Sequence, residues 1–190
     1  GSNGFIGRSL TTFLKNDYSI YKMNRKISTE NLKNIRCDIS KKKIFNEKIS
    51  KLPKFDYVIN LSGQIEKNKP KMYNSIFVGN KNIIDVFNDK KTKLIFFSSI
   101  LVYGHSKNLK KPNSTLNPIT YYAKIKAKAE SLYKKTSKNF NILRISNVYD
   151  DKFEKKGLLK NLISAIKNSE IIKINQKKSV RNYIHILDLN

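Results

Sequence analysis

The sequence predicts an α/β fold, a parallel sheet covered by helices on both faces in three layers. Three observations carry this reading. Short apolar runs such as KLIFFSS (93–99) and FDYVINLSG (55–63) alternate with stretches of helical periodicity, which is the pattern of βαβ units. A glycine-rich turn, GSNGFIG (1–7), opens straight into a helical pattern. No internal repeat or linker divides the 190 residues, a length that suits one domain with its own core.

The elements follow in order. Phe5, Ile6, Leu10, Phe13 and Leu14 recur at helical spacing behind the glycines, so a helix starts there. A strand is expected near 19–23, a short one at 35–37, and a helix over 43–50. FDYVINLSG reads as a buried strand. A helix over 73–88 takes its apolar faces from Ile76, Val78, Ile83, Ile84, Val86 and Phe87. KLIFFSS is the next strand. The segment 108–120, rich in Lys, Pro, Asn and Thr, reads as a surface loop over the sheet edge. Pro118 stands where a helix could start, and 123–135 is rich in helix formers. NILRISNVY (141–149) is a strand running into a loop, 158–168 a helix, IIKI (171–174) a strand, and VRNYIHI (180–186) a last extended piece.

Composition narrows the function classes. The formal net charge is +25, and arginine occurs only at 8, 25, 36, 144 and 181 among the 39 basic residues. Such charge attracts phosphate polyanions. However, the lysines are spread along the chain and do not interleave with aromatics in one stripe, as a nucleic-acid surface would require. Plentiful Lys, Asn and Ile instead suggest AT-rich codons, so nucleic acid is not the expected partner. No run of about 18 apolar residues is present, so no membrane helix is expected. One cysteine, Cys37, excludes an internal disulfide and any metal site built on clustered cysteines. That usage fits a reducing cytoplasm.

A G-x-x-G-x-x-G turn ahead of a helix lets backbone approach a pyrophosphate, which the helix N-terminus attracts. Its spacing differs by one residue from the G-x-G-x-x-G dinucleotide fingerprint. Asp38, in RCDIS (36–40), follows a predicted strand, where its carboxylate could accept from an adenine amino group or serve as a turn or helix cap. Tyr122 and Lys126, in YYAKIK (121–126), form Y-x-x-x-K and share a helix face one turn apart. An ammonium beside a phenol lowers the phenol pKa, so Tyr122 can act as general acid or base. Ser99 lies at the C-terminal end of a predicted parallel strand, where open α/β sheets place their chemistry. Its hydroxyl can bond a reacting oxygen.

Taken together, GSNGFIG, RCDIS, VINLSG, SSILVYG, YYAKIK, LRISNVY and VRNYIHILDL resemble the extended short-chain dehydrogenases/reductases, the NAD(P)-dependent nucleotide-sugar epimerases and dehydratases. The resemblance implies a Rossmann-like doubly wound sheet: one NAD(P)-binding domain over 1–190, with 150–190 contributing in part to a small C-terminal substrate lobe. It implies that Gly1, Gly4 and Gly7 line the pyrophosphate with Phe5 and Ile6 at the helix start. Asp38 and Ile39 would hold the adenine, and Leu61, Ser62 and Gly63 would pass beside the nicotinamide side. Ser99, Tyr122 and Lys126 would be the catalytic set, with Lys126 also on the nicotinamide ribose. Asn147 and Arg181 would bind the substrate diphosphate, for which a guanidinium fork is suited. Helices at 72–89 and 118–136 are the implied surfaces of a homodimer. No metal is implied.

Departures refine the expectation. Ile76 stands where the family usually has asparagine, Asp150 where glycine is common, and Asn182 where aspartate is common. Ile100 and Leu101 stand where 4,6-dehydratases place acids, and an apolar pair cannot protonate a leaving hydroxyl. Epimerisation or keto reduction therefore ranks above dehydration. A non-catalytic binder of RNA, or a regulatory protein on the same scaffold, is the alternative from another class. YKMNRK (21–26) carries no acid for the ribose hydroxyls, while Arg25 and Lys26 could meet a 2′-phosphate. This favours NADP slightly. In this fold the first strand is central and precedes the glycine turn, and the substrate lobe follows ILDLN. The chain thus reads as an internal piece, incomplete at both ends. Unpaired backbone on both neighbours of the absent strand is expected, and with it poor stability and no activity for these 190 residues alone.

Overall fold

The structure, a computed structural model, describes residues 1–27, 30–63, 65–106, 108–150, 158–172 and 180–189. Helix α1 (Phe5–Leu14) is followed by β1 (Lys22–Asn24), β2 (Asn34–Arg36), α2 (Lys42–Ile49) and β3 (Tyr57–Asn60). Then come α3 (Lys69–Tyr73), a π-helical turn (Asn74–Val78), α4 (Gly79–Phe87), β4 (Lys93–Ser99) and a 3-10 turn (Ile100–Tyr103). Helix α5 (Tyr121–Thr136), β5 (Phe140–Ile145), β6 (Asn147–Tyr149), α6 (Leu158–Lys167) and β7 (Tyr183–His185) complete the order, with a 3-10 turn at Ile186–Leu189.

Every named strand pair is parallel. β1 pairs β2, with Met23 opposite Ile35. β3, β4 and β5 form a second sheet in that order, with Ile59 opposite Ile95 and Ser99 opposite Ile145. β6 pairs β7. Among the described residues β1 pairs only with β2 and β3 only with β4. A cavity of about 820 Å³ lies between them, lined by Tyr21–Asn24 on one side and Tyr57–Asn60 on the other. This cavity explains one departure. FDYVINLSG reads as a buried strand, but in β3 only Asn60 is buried, because the strand lines the cavity.

The core joins the two sheets through α2, α4 and α5. Phe45, Ile83, Ile84, Phe87, Leu94, Phe96, Ile125, Ala129 and Tyr133 belong to one buried cluster. Phe96 stacks on Tyr133 with ring centroids 5.1 Å apart. Removing such aromatic area from water stabilises the fold by roughly 2–3 kcal/mol per side chain.

Several element boundaries moved. The first strand runs 22–24 rather than 19–23. The single helix expected over 73–88 starts four residues earlier and passes through a π turn ending at Val78. Helix α5 starts after Thr120, whose hydroxyl accepts the Ala123 N–H at 3.2 Å; a true N-cap displaced Pro118 as the start. NILRISNVY breaks at Ser146, because its first half pairs β4 and its second half pairs β7. Ile171 and Ile172 are not in a strand, and the rest of that expected strand lies outside the described residues. The last extended piece is a strand only over Tyr183–His185.

Candidate active site

The glycine turn is held between the two sheets. The Gly4 N–H donates to the Gly1 carbonyl at 3.0 Å, and the Arg8 N–H to the Gly4 carbonyl at 2.9 Å. A Cβ on Gly1 would stand 2.7 Å from the Leu61 carbonyl carbon, and one on Gly7 would stand 2.4 Å from the Gly1 oxygen. Those two glycines are demanded by packing. Gly4 is different: a Cβ there would meet only the Gly1 oxygen, at 3.1 Å. Gly4 is also the N-cap of α1 and brings no capping side chain. The outer side of this turn is therefore bare backbone at a helix N-terminus, which fits a diphosphate. Asn24 Nδ2 donates to Ser2 Oγ and Asn3 Nδ2 to the Lys26 carbonyl at 3.2 Å, so the turn is tied to the end of β1.

Gly1, Gly4, Gly7, Arg25, Asp38, Ile39, Leu61, Ser62 and Gly63 all line the same cavity. Phe5 and Ile6 do not; they sit half-buried in the first turn of α1. Asp38 Oδ1 accepts the Ser40 N–H at 2.9 Å and the Ser40 hydroxyl at 2.7 Å, closing β2 onto α2. One of its oxygens thus serves the turn. Ile39 packs against Gly79, whose Cβ would be 2.7 Å from it, and its carbonyl accepts Asn82 Nδ2 at 2.8 Å. Arg25 lies 3.6 Å from Glu66, which Lys71 also approaches at 3.3 Å. Gly63 has φ +98°, a backbone conformation suited to glycine, and a Cβ there would be 2.5 Å from Ile76.

Ser99 ends β4, and its Oγ accepts the Leu101 N–H at 3.3 Å. Tyr122 and Lys126 lie on the face of α5 that packs against β4. Lys126 is buried, with Nζ 5.8 Å from the Tyr122 ring centroid. It donates to the Phe97 carbonyl at 2.7 Å and the Ser62 carbonyl at 3.4 Å. One ammonium thereby joins the ends of β3 and β4 to α5. Burial draws this ammonium down to about 7, and the Glu130 carboxylate opposes the shift. Burial pushes the Tyr122 phenol up to about 12. The lowering of the phenol expected from the sequence is not seen in this state, because the ammonium is turned to the two carbonyls.

Asn147 begins β6, which pairs with β7, and Arg181 precedes β7 by two residues. The Asn147 side chain donates to the Asn182 carbonyl at 3.1 Å, and Arg181 is the exposed residue beside it. Asn147 lies two residues beyond Ile145, which stands opposite Ser99.

Two buried polar groups escaped the sequence reading. Asn80 Oδ1 accepts from Asn60 Nδ2 and from the Tyr133 hydroxyl, each at 2.8 Å. Glu130 accepts from Ser98 Oγ at 2.6 Å and from Arg144 Nη2 at 2.7 Å. The signal for Glu130 was present in the sequence: it follows Lys126 by one helical turn and so shares its face.

The geometry has known counterparts. Residues 1–190 match the model of the NAD dependent epimerase/dehydratase family. No curated protein sequence matches the chain. Among solved structures, the chain is similar to dTDP-glucose 4,6-dehydratase from Bacillus anthracis in complex with NAD, at 18% identity and a TM-score of 0.81, over 100% of this chain and 67% of that one. It is similar to the Bordetella bronchiseptica enzyme WbmG in complex with NAD and UDP, at 16% identity and a TM-score of 0.85, over 100% and 64%. UDP-glucose 4-epimerase with UDP-glucose from Thermotoga maritima shows 20% identity and a TM-score of 0.77, over 100% and 69%. The chain thus spans about two thirds of the length of these structures. At such identity the likeness shows the fold, a Rossmann-like parallel α/β arrangement. From its family match over the whole length, the chain belongs to the NAD-dependent epimerase/dehydratase family.

Proposed function

We propose that this chain forms the catalytic core of an NAD(P)-dependent enzyme that epimerises or reduces a nucleotide sugar. The observation that carries the reading is Lys126: a fully buried lysine, one turn from Tyr122, bonded to the strand ends beside Ser99 and Ser62. A lysine without a carboxylate partner is costly to bury, and a scaffold that only binds has no need of it.

The bare Gly4 turn and the start of α1 would hold the cofactor diphosphate, and Leu61, Ser62 and Gly63 would flank its nicotinamide end. Hydride exchange with a sugar carbon is the chemistry the nicotinamide supplies when bound. Ser99 Oγ accepts from Leu101, which leaves its own proton to donate to a sugar oxygen. Tyr122 would move the hydroxyl proton. Lys126, while charged, would lower the phenol when turned toward it. Asn147 and Arg181 would grip the substrate diphosphate.

Ile100 and Leu101 occupy the turn directly after Ser99. They supply no acid for water elimination, so dehydration ranks below epimerisation and reduction. Arg25 tilts the cofactor preference slightly to NADP, since a 2′-phosphate can replace Glu66 as its partner. A homodimer through the helices at 72–89 and 118–136, and a cytoplasmic site of action, belong to the same reading. Among the described residues no helix is long and apolar enough to cross a membrane.

The test is to mix the full-length natural protein with UDP-, dTDP- and GDP-sugars and excess NADPH or NADH, following nicotinamide absorbance and the sugars by NMR. Stoichiometric cofactor oxidation identifies a reductase, and a changed sugar with no net cofactor change identifies an epimerase. A folded, cofactor-binding protein that changes no sugar and oxidises no cofactor contradicts the proposal.

A further inference from the structure

Helix α5 buries two charged residues one turn apart, Lys126 and Glu130. They do not pair with each other. Lys126 reaches the carbonyls of Phe97 and Ser62, whereas Glu130 turns to β4 and β5. Its Oε1 accepts from Ser98 Oγ at 2.6 Å and Arg144 Nε at 3.0 Å, and its Oε2 from Arg144 Nη2 at 2.7 Å. Arg144 continues outward. Its Nη1 donates to the Tyr103 hydroxyl at 2.7 Å and the Pro112 carbonyl at 2.6 Å, and its guanidinium lies 4.8 Å from the Tyr103 ring centroid. The Tyr103 hydroxyl donates in turn to the Lys111 carbonyl at 3.0 Å. The chain of contacts therefore runs from the catalytic helix, past the residue next to Ser99, to the turn after Ser99 and the loop beyond it.

A buried carboxylate–guanidinium pair is weak as a source of stability, because desolvation offsets most of its attraction. Its worth here lies in geometry. Ser98 and Ser99 are adjacent on β4 and point to opposite faces, so fixing Ser98 to Glu130 fixes where Ser99 sits relative to Tyr122. The bidentate fork of Arg144 sets distance and angle together. We propose that Glu130 and Arg144 are positioning residues, a strut that holds α5 against β4 at its inner end and the Tyr103–Pro112 segment at its outer end, and so keeps Ser99, Tyr122 and Lys126 in register.

The strut also bears on charge. The groups facing Lys126 are Tyr122 and Glu130 on its own helix, the Phe97 carbonyl and the Phe96 ring of β4, and the Ser62 carbonyl after β3. Arg144 of β5 acts on it through Glu130. Of these, only Glu130 is a carboxylate, and its removal favours the neutral amine.

This inference rests on the proposed function, so its test carries Tyr122→Phe as a control. Four variants are compared: Glu130→Gln, Arg144→Lys, Ser98→Ala and Tyr103→Phe. Melting and cofactor titration establish that each folds, and kcat, KM and the pH profile are then measured. Glu130→Gln and Arg144→Lys are expected to lower kcat by about 10²-fold, the scale of a misplacement near 1 Å, with cofactor affinity unchanged. In Glu130→Gln the alkaline limb of kcat moves to lower pH. Ser98→Ala lowers kcat by about tenfold or less. Tyr103→Phe acts at the outer end and raises KM for the sugar nucleotide more than it lowers kcat. Should Glu130→Gln fail to fold, Ser98→Ala and Tyr103→Phe decide. Loss of turnover in Tyr122→Phe alone, with the other variants melting lower but keeping wild-type kcat, KM and pH profile, overturns the strut and leaves the function standing. Unchanged turnover in Tyr122→Phe overturns the functional reading on which the strut rests.

Discussion

The two halves of this molecule are built differently. In the half formed by β3, β4, β5, α4 and α5, the strands are four, seven and six residues long, Phe96 stacks on Tyr133, and the buried polar groups Asn60, Asn80, Tyr133, Ser98, Glu130 and Lys126 each have a partner. In the half formed by α1, β1 and β2, the strands are three residues long, and their inner edge borders the same 820 Å³ cavity that β3 lines from the other side. Only Gly7 of α1 is buried. Under the proposed function, the contrast separates two tasks. Proton transfer needs groups held to a fraction of an ångström, and satisfied buried networks hold them. Holding a dinucleotide diphosphate needs backbone donors, which the Gly4 turn ahead of α1 offers.

The sharpest way to break this contrast is Lys126→Met. Turnover should fall by about 10²–10⁴-fold, the range for losing general acid–base assistance. The melting temperature should hold or rise, because an apolar side chain replaces a desolvated ammonium. Steady-state kinetics and a thermal melt check both. An equal fall in stability and activity would mean that the lysine holds the fold and not the chemistry.

Truncations in the two halves come next. Phe96→Ala, under Tyr133, is expected to cost about 3–5 kcal/mol. Leu10→Ala, on the cavity wall, should cost about 1 kcal/mol or less, since its side chain already lacks neighbours on one side. Urea unfolding of both variants measures the ratio, and equal costs would erase the distinction. Asn80→Leu should cost about 1–3 kcal/mol by stranding Asn60 and the Tyr133 hydroxyl, read in the same experiment.

The pH dependence of stability sharpens the picture further. The folded Lys126 titrates near 7, well below the unfolded value of 10.5. Between pH 7 and 9 the unfolded chain therefore binds more protons at this position, and stability rises with pH. Lys126→Met should flatten that rise, as denaturant midpoints at pH 7, 8 and 9 would show. The smallest effect belongs to the open half. Arg25→Ala breaks a partly exposed pair with Glu66 and should cost no more than about 1 kcal/mol. It should also narrow the ratio of NADPH to NADH affinity in a fluorescence titration.

Much of this was legible in the sequence, for identifiable reasons. The alternation of strands and helices follows from local apolar periodicity, and both the parallel sheets and the order β3–β4–β5 agree with it. Tyr122 and Lys126 share a helix face by spacing alone. Boundaries that depend on side-chain bonds were harder. The start of α5 is set by the Thr120 hydroxyl and not by Pro118, and the break at Ser146 comes from a change of pairing partner that no local pattern records. The direction of the Lys126 ammonium was also out of reach, because the carbonyls it bonds come from residues 29 and 64 positions away. The Glu130–Arg144 pair was half visible: both residues stand in quoted or adjacent motifs, but only the sheet register brings Arg144 opposite Ser98.

The most direct test of the central claim is a side-by-side comparison of the full-length wild-type protein and its Tyr122→Phe variant on a nucleotide sugar in the presence of cofactor, with the sugar followed by NMR and cofactor affinity measured on both. The account predicts conversion of the sugar by the wild type, loss of that conversion by at least about 10²-fold in Tyr122→Phe, and equal cofactor affinity. Conversion at equal rates by both proteins would contradict it.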